Sequence, residues 1–185
     1  MRLFVAIPLP TDVAVEASTA LPEIPALRRV RPEHLHITLA FLGAVADERL
    51  DDVIAATRTA AAAHQPFTVT LEGVGRFPES GEPRVVWMGI VQGARESSNL
   101  AAALRRALTE RALPFDDKPF RAHITLARVA QDADRASARA IAATTDRLRA
   151  PKLHFEVDAL IPFESVLSPK GPRYTPRAAV PLGRS

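Results

Sequence analysis

The tetrapeptide His-Ile-Thr-Leu occurs twice in this chain, at 36–39 and at 123–126, and Ala follows it both times. The copies stand 87 residues apart in a chain of 185, one in each half. In each, apolar residues alternate with His and Thr at period two, which predicts a β-strand. Residues i and i+2 of a strand share a face. His36 and Thr38 therefore project together, while Leu35, Ile37 and Leu39 anchor the other face. His123 and Thr125 repeat the arrangement over Ile124 and Leu126. Any fold for this chain must place two such strands, each with an imidazole beside a hydroxyl and a core-facing back.

A repeated His-x-Thr suits one chemistry well. Two histidines near their ordinary pKa can be one neutral and one protonated at pH 7, supplying a base and an acid without a metal. Hydrolysis of a cyclic phosphodiester needs a base for the water and an acid for the departing oxygen. It also needs donors at the non-bridging oxygens, a task for threonine hydroxyls. A single His-x-Thr would signify no more than a structural histidine next to a good strand former. Two copies with the same intervening and following residues shift the reading to a catalytic pair.

The rest of the chain bounds the setting. Its 185 residues fit one domain of two similar lobes spanning 1–185, with about 70% of the unfolded surface buried. No apolar run approaches the ~18 residues a membrane span needs, so no membrane association is expected. Residues 1–8 read as a first strand rather than a secretory signal. The absence of cysteine excludes disulfides and thiolate catalysis, and makes a cytoplasmic location the default. The net charge is +3; the cations are nearly all arginine, with lysine only at 118, 152 and 170. That composition suits bidentate phosphate contact, although solvated arginines would give the same count.

Patterning predicts strands at 2–7, around the first motif to Gly43, at 67–71, 85–91 and 122–129, at 154–167 as one or two, and at 174–182 along an edge. Helices are predicted from Asp12 to about Leu21, from Asp47 as cap to His64, over 97–113, and over 132–148 behind an aspartate cap. Gly73 to Pro78 reads as the start of a loop. The order is α+β rather than strictly alternating βαβ. With one motif per half, the expectation is two pseudo-twofold-related lobes, antiparallel sheets lining a central groove with helices outside.

These residues resemble the 2H phosphoesterases, and within them the RNA 2′,3′-cyclic phosphodiesterases, also called 2′-5′ RNA ligases. The resemblance covers nearly the whole chain. Besides the motifs it includes Gly75-Arg-Phe-Pro78 with Pro83-Arg-Val-Val-Trp87, the approach Pro119-Phe-Arg-Ala-His123, and Glu164 to Tyr174 as a C-terminal hairpin. Ala122 stands where a proline is common, and Arg28-Arg29 occupies a region that commonly carries a tryptophan. The resemblance implies that His36 is the proton donor and His123 the proton acceptor, an order that pseudo-symmetry alone leaves open. It also implies that Thr38 and Thr125 hold the phosphate with Arg128. The substrate would be RNA or an oligonucleotide ending in a 2′,3′-cyclic phosphate, handled by a monomer without cofactor or metal.

Arg128 follows its motif histidine by five residues, so strict alternation puts it on the wrong face; a bulge or the strand's end must redirect it. Phe41, its counterpart in the first copy, reads as a core residue rather than a base-stacking platform. His34 shares a face with His36, and with His123 could form a zinc site. Against that, Arg121 stands where the second copy would need a ligand. His64 reads as a solvated helix-end residue, and His154 has no motif around it. Two rivals remain: the same fold acting on another cyclic or 2′-5′ phosphodiester, and a non-catalytic RNA-binding module using Arg84, Lys170, Arg173 and Arg177.

Overall fold

Alternation and apolar runs produce the expected strands, yet each sheet draws on distant parts of the chain. The computed structural model describes residues 1–168 and 171–183. In chain order the elements are β1 (Arg2–Pro8), α1 (Thr11–Ser18), β2 (Leu27–Arg29), a 3₁₀ turn (Pro32–His34) and β3 (His36–Ala44). A second 3₁₀ turn (Asp47–Arg49), α2 (Leu50–Ala62), β4 (Phe67–Phe77), β5 (Val85–Gln92) and α3 (Ala94–Glu110) follow. Then come β6 (His123–Val129), α4 (Arg135–Thr145), β7 (Leu153–Val157), β8 (Ala159–Ser168), β9 (Gly171–Pro176) and β10 (Val180–Pro181).

The strands form two antiparallel sheets. One has the order β10-β8-β1-β3, with β9 also paired to β8; the other runs β2-β6-β5-β4-β7. The motif strands β3 and β6 thus lie in different sheets. Around them the order β8-β1-β3 is matched by β4-β5-β6, as the pseudo-twofold expectation requires. The lobes are not the two halves of the sequence, however. The first sheet takes its strands from both ends of the chain, and the second takes the middle plus β2.

The two lobes are interlocked ahead of both motifs. β2, from before the first motif, pairs antiparallel with β6 in the opposite sheet, with Arg28 opposite Arg128. Ahead of the second motif, the amide of Asp116 donates to the Phe41 carbonyl of β3 at 2.8 Å. Each motif strand is therefore touched by the segment that leads into the other.

Helices α2 and α3 pack together and cover the first sheet, while α1 and α4 cover the second. Helix α3 buries Leu100, Leu104 and Leu108 at one-turn spacing, and α2 turns Val53, Ala56 and Ala60 inward. Each fully buried leucine contributes roughly 1.5–3 kcal/mol of transfer free energy. The backs of the motif strands join this core: Ile37, Leu39, Ile124 and Leu126 are all buried.

Several boundaries differ from the sequence reading for local reasons. Asp47 does not cap α2; its carboxylate takes the Met1 ammonium at 2.7 Å, and the helix starts after a 3₁₀ turn. The aspartate that caps α4 is Asp134, whose side chain accepts from the Ser137 amide at 2.7 Å. Strand β4 runs past Leu71 because Gly73, at φ +76°, makes a bulge opposite β5 rather than a loop. The expected last strand at 174–182 is divided between β9 and β10.

Candidate active site

The two motif strands share a register irregularity at the same place. In β3 the pairing with β1 steps from Thr38 opposite Ala6 to Ala40 opposite Val5, leaving Leu39 as an extra residue. In β6 the pairing with β5 steps from Thr125 opposite Trp87 to Ala127 opposite Val86, leaving Leu126 extra. The motif leucine is thus a bulge in both copies. An added residue reverses the alternation beyond it, so the fifth residue after each histidine returns to the histidine's face. This is the redirection that Arg128 required. It acts on Phe41 as well, so Phe41 faces the groove and is not a core residue.

The groove between the lobes encloses about 850 Å³ and is lined by His36, Thr38, His123, Thr125 and Arg128. All five residues singled out in the sequence therefore share one cavity. Arg2, Arg28, Arg29 and Arg31 line it too, and among the described residues no Asp or Glu does. Arg2 lies over the Phe41 ring, 4.8 Å from its centroid.

Each catalytic candidate is pinned by the backbone two residues earlier. His36 Nδ1 lies 2.6 Å from the His34 carbonyl, and His123 Nδ1 lies 2.7 Å from the Arg121 carbonyl. A carbonyl only accepts, so Nδ1 carries a hydrogen in both rings and Nε2 is the nitrogen left for a ligand. A neutral ring then offers a lone pair at Nε2, and a protonated ring offers a donor there. Aromatic neighbours fix the ring planes: Phe4 lies 5.0 Å from His36, and Phe77 sits edge-on at 5.2 Å from His123.

Electrostatics separate the two. Burial, with smaller contributions from the positive potential of His34, His123 and Arg128, lowers the pKa of His36 to about 4, against the help of the His34 carbonyl. Burial also lowers His123, with Arg128 and Arg121 acting in the same sense. Burial, helped by the nearby arginines, disfavours the charged form of both imidazoles until an anion enters.

The remaining histidines take other places. His34 ends the 3₁₀ turn and packs with its ring tilted against Tyr174 at 4.6 Å, forming part of the groove wall. Among the described residues, no three His, Cys, Asp or Glu side chains gather to hold a metal, so the zinc alternative has no ligand set. His64 Nδ1 bonds the Ala60 carbonyl at 2.9 Å at the end of α2. Tyr174, on β9, also sits edge-on to His36 at 5.6 Å and to Phe4 at 4.9 Å. Arg84, Arg173 and Arg177 are absent from the groove lining, and Arg177 pairs with Glu164 at 3.5 Å. Lys170 lies outside the described residues. No helix among the described residues is long and apolar enough to cross a membrane.

The sequence model of the 2′-5′ RNA ligase superfamily matches residues 10–163. An RNA 2′,3′-cyclic phosphodiesterase of Thermus thermophilus is 37% identical over 183 residues, covering 95% of this chain and 87% of that protein. The Escherichia coli protein of the same name is 38% identical over 138 residues, 71% of this chain and 74% of its own length. Among solved structures, one from Thermus thermophilus superposes with a TM-score of 0.80 at 34% identity over the full length of both chains. Escherichia coli LigT complexed with 3′-AMP gives 0.77 at 28% identity, covering 99% of this chain and 98% of that one. With a family match across most of its length and the same fold in both solved relatives, the chain belongs to the 2′-5′ RNA ligase superfamily.

Proposed function

We propose that this protein is an RNA 2′,3′-cyclic phosphodiesterase that hydrolyses a terminal 2′,3′-cyclic phosphate to a 2′-phosphomonoester by two-histidine acid–base catalysis. The observation that carries the reading is the pair of imidazoles, each tied through Nδ1 to the carbonyl two residues ahead of it and lining one arginine-rich cavity. The names of its relatives support the substrate.

In this mechanism His123 Nε2 takes a proton from water as the water oxygen bonds to phosphorus. The bond from phosphorus to the 3′ oxygen breaks, and His36 Nε2–H protonates that oxygen. The product carries a 2′-phosphate and a free 3′-hydroxyl, and one proton has passed from water to the leaving oxygen. Thr38 and Thr125 donate to the non-bridging oxygens, and Arg128 neutralises the charge that builds there. His36 is neutral in the free protein at pH 7, so its proton is held only when the anionic diester is bound. A negative charge within a few ångströms favours the imidazolium. Binding and arming the acid are then one event. A 5′-hydroxyl in the water's place would give a 2′-5′ linkage through the same groups.

The test is end-group analysis of an oligonucleotide carrying a 2′,3′-cyclic phosphate after incubation with pure protein. A 2′-phosphate product is expected, and turnover should survive exhaustive EDTA. His36→Ala and His123→Ala should each lower turnover by about 10²–10⁴-fold. Near-normal activity in either variant would refute the assignment, and EDTA-sensitive activity restored by zinc would refute the metal-free mechanism.

A further inference from the structure

Arg28 and Arg128 stand directly opposite each other across the β2–β6 ladder. Like charges at such positions destabilise a sheet, and among the described residues no carboxylate lines the groove to relieve them. Among the described residues, neither arginine takes part in a salt bridge. A local rule broken at a cavity, with no internal compensation, marks a place where a ligand supplies the missing charge.

One anion does not account for the arrangement. A cyclic phosphodiester carries a single negative charge, which Arg128 and the threonines already meet. Arg2, Arg28, Arg29 and Arg31 remain. Arg29 is engaged, its guanidinium donating to the Ser18 carbonyl at the end of α1. Arg31 faces only Glu33, at 4.0 Å between two exposed side chains, a geometry worth little in water. Arg28 and Arg31 are thus two guanidiniums on one short segment of the groove wall, neither held by a close carboxylate among the described residues. Guanidinium is the side chain best matched to phosphate oxygens.

Building on the function proposed above, we propose that the Arg28–Arg31 segment binds internucleotide phosphates on the 5′ side of the reacting end. The preferred substrate is then an RNA strand of several nucleotides, not a mononucleotide. The pairing of β2 with β6 sets Arg28 directly opposite Arg128, the residue assigned above to the reacting phosphate.

The experiment compares wild type with the double variant Arg28→Ala/Arg31→Ala on three probes. These are a tetranucleotide ending in a 2′,3′-cyclic phosphate, a nucleoside 2′,3′-cyclic phosphate, and the same nucleotide bearing a 5′-phosphate. The ratio of kcat/KM for tetranucleotide over nucleoside should fall about tenfold in the double variant and stay unchanged in Arg58→Ala, a charge control on the exposed face of α2. In anisotropy titrations of the labelled tetranucleotide, the slope of log affinity against log salt should flatten by about 1.4, at roughly 0.7 per phosphate contact. An unchanged ratio or slope in the double variant overturns the proposal. So does a wild-type preference reproduced in full by the 5′-phosphorylated nucleotide, which would assign the arginines to a mononucleotide phosphate. Failure of wild type to turn over any probe would defeat the catalytic reading alone, because the salt slopes still decide whether a strand is held here.

Discussion

Acidifying the protein from pH 7 to pH 5 should expose the cost of burying His36. Its pKa is lowered to about 4 in the folded protein from an ordinary 6.5, with burial as the main cause. Folding therefore favours the neutral ring. Below pH 6.5 the unfolded chain binds more protons than the native one, so this contribution to stability is present above 6.5 and lost as pH falls toward 4. Linkage across that window gives a loss of about 2 kcal/mol between pH 7 and pH 5, growing to about 3 kcal/mol at pH 4. Urea unfolding of wild type and His36→Asn at the two pH values isolates the effect, since asparagine does not titrate. His123, whose pKa is lowered in the same direction, and the carboxylates of Asp47, Asp116 and Asp134 change both proteins alike and cancel in the difference. Wild type should lose about 2 kcal/mol more than the variant. Equal losses would show that His36 is not held neutral, and the coupling of substrate binding to acid protonation would fall with it.

Two further substitutions probe the scaffold. Asp134→Ala removes the hydrogen bond to the Ser137 amide and should cost about 1 kcal/mol in denaturant unfolding; no measurable loss would mean the cap is redundant. Gly93→Ala places a Cβ 2.7 Å from the Thr68 carbonyl at φ +81°, ahead of α3, and should cost more than about 1 kcal/mol. A thermal midpoint equal to wild type would contradict that geometry.

The site was largely legible in the sequence because the chemistry is written twice. Period-two alternation oriented His36, Thr38, His123 and Thr125 correctly, and the misfit of Arg128 with that alternation itself called for a bulge. The same logic applied to Phe41 would have brought it into the groove, since both motifs carry the extra leucine. Strand β2 was not legible. Three residues are too few to show alternation, and Leu27–Arg29 is extended because β6 offers it a ladder, not because of its own propensity. Which strands make up each lobe was not legible for a related reason: strand order is set by contacts between distant segments, which local patterns do not report. Asp47 and Asp134 show the limit for caps, where several acidic residues near a helix start compete and tertiary partners choose among them.

The crossing of the two lead-in segments has a mechanical corollary. Main-chain bonds fasten Leu27–Arg29 to β6 and Asp116 to β3, so neither lobe can swing outward without tearing backbone pairing that belongs to both. The two imidazoles are thereby held at a fixed span by the polypeptide itself, as the jaws of a cast clamp are, and a ligand reaching both must conform to that gauge.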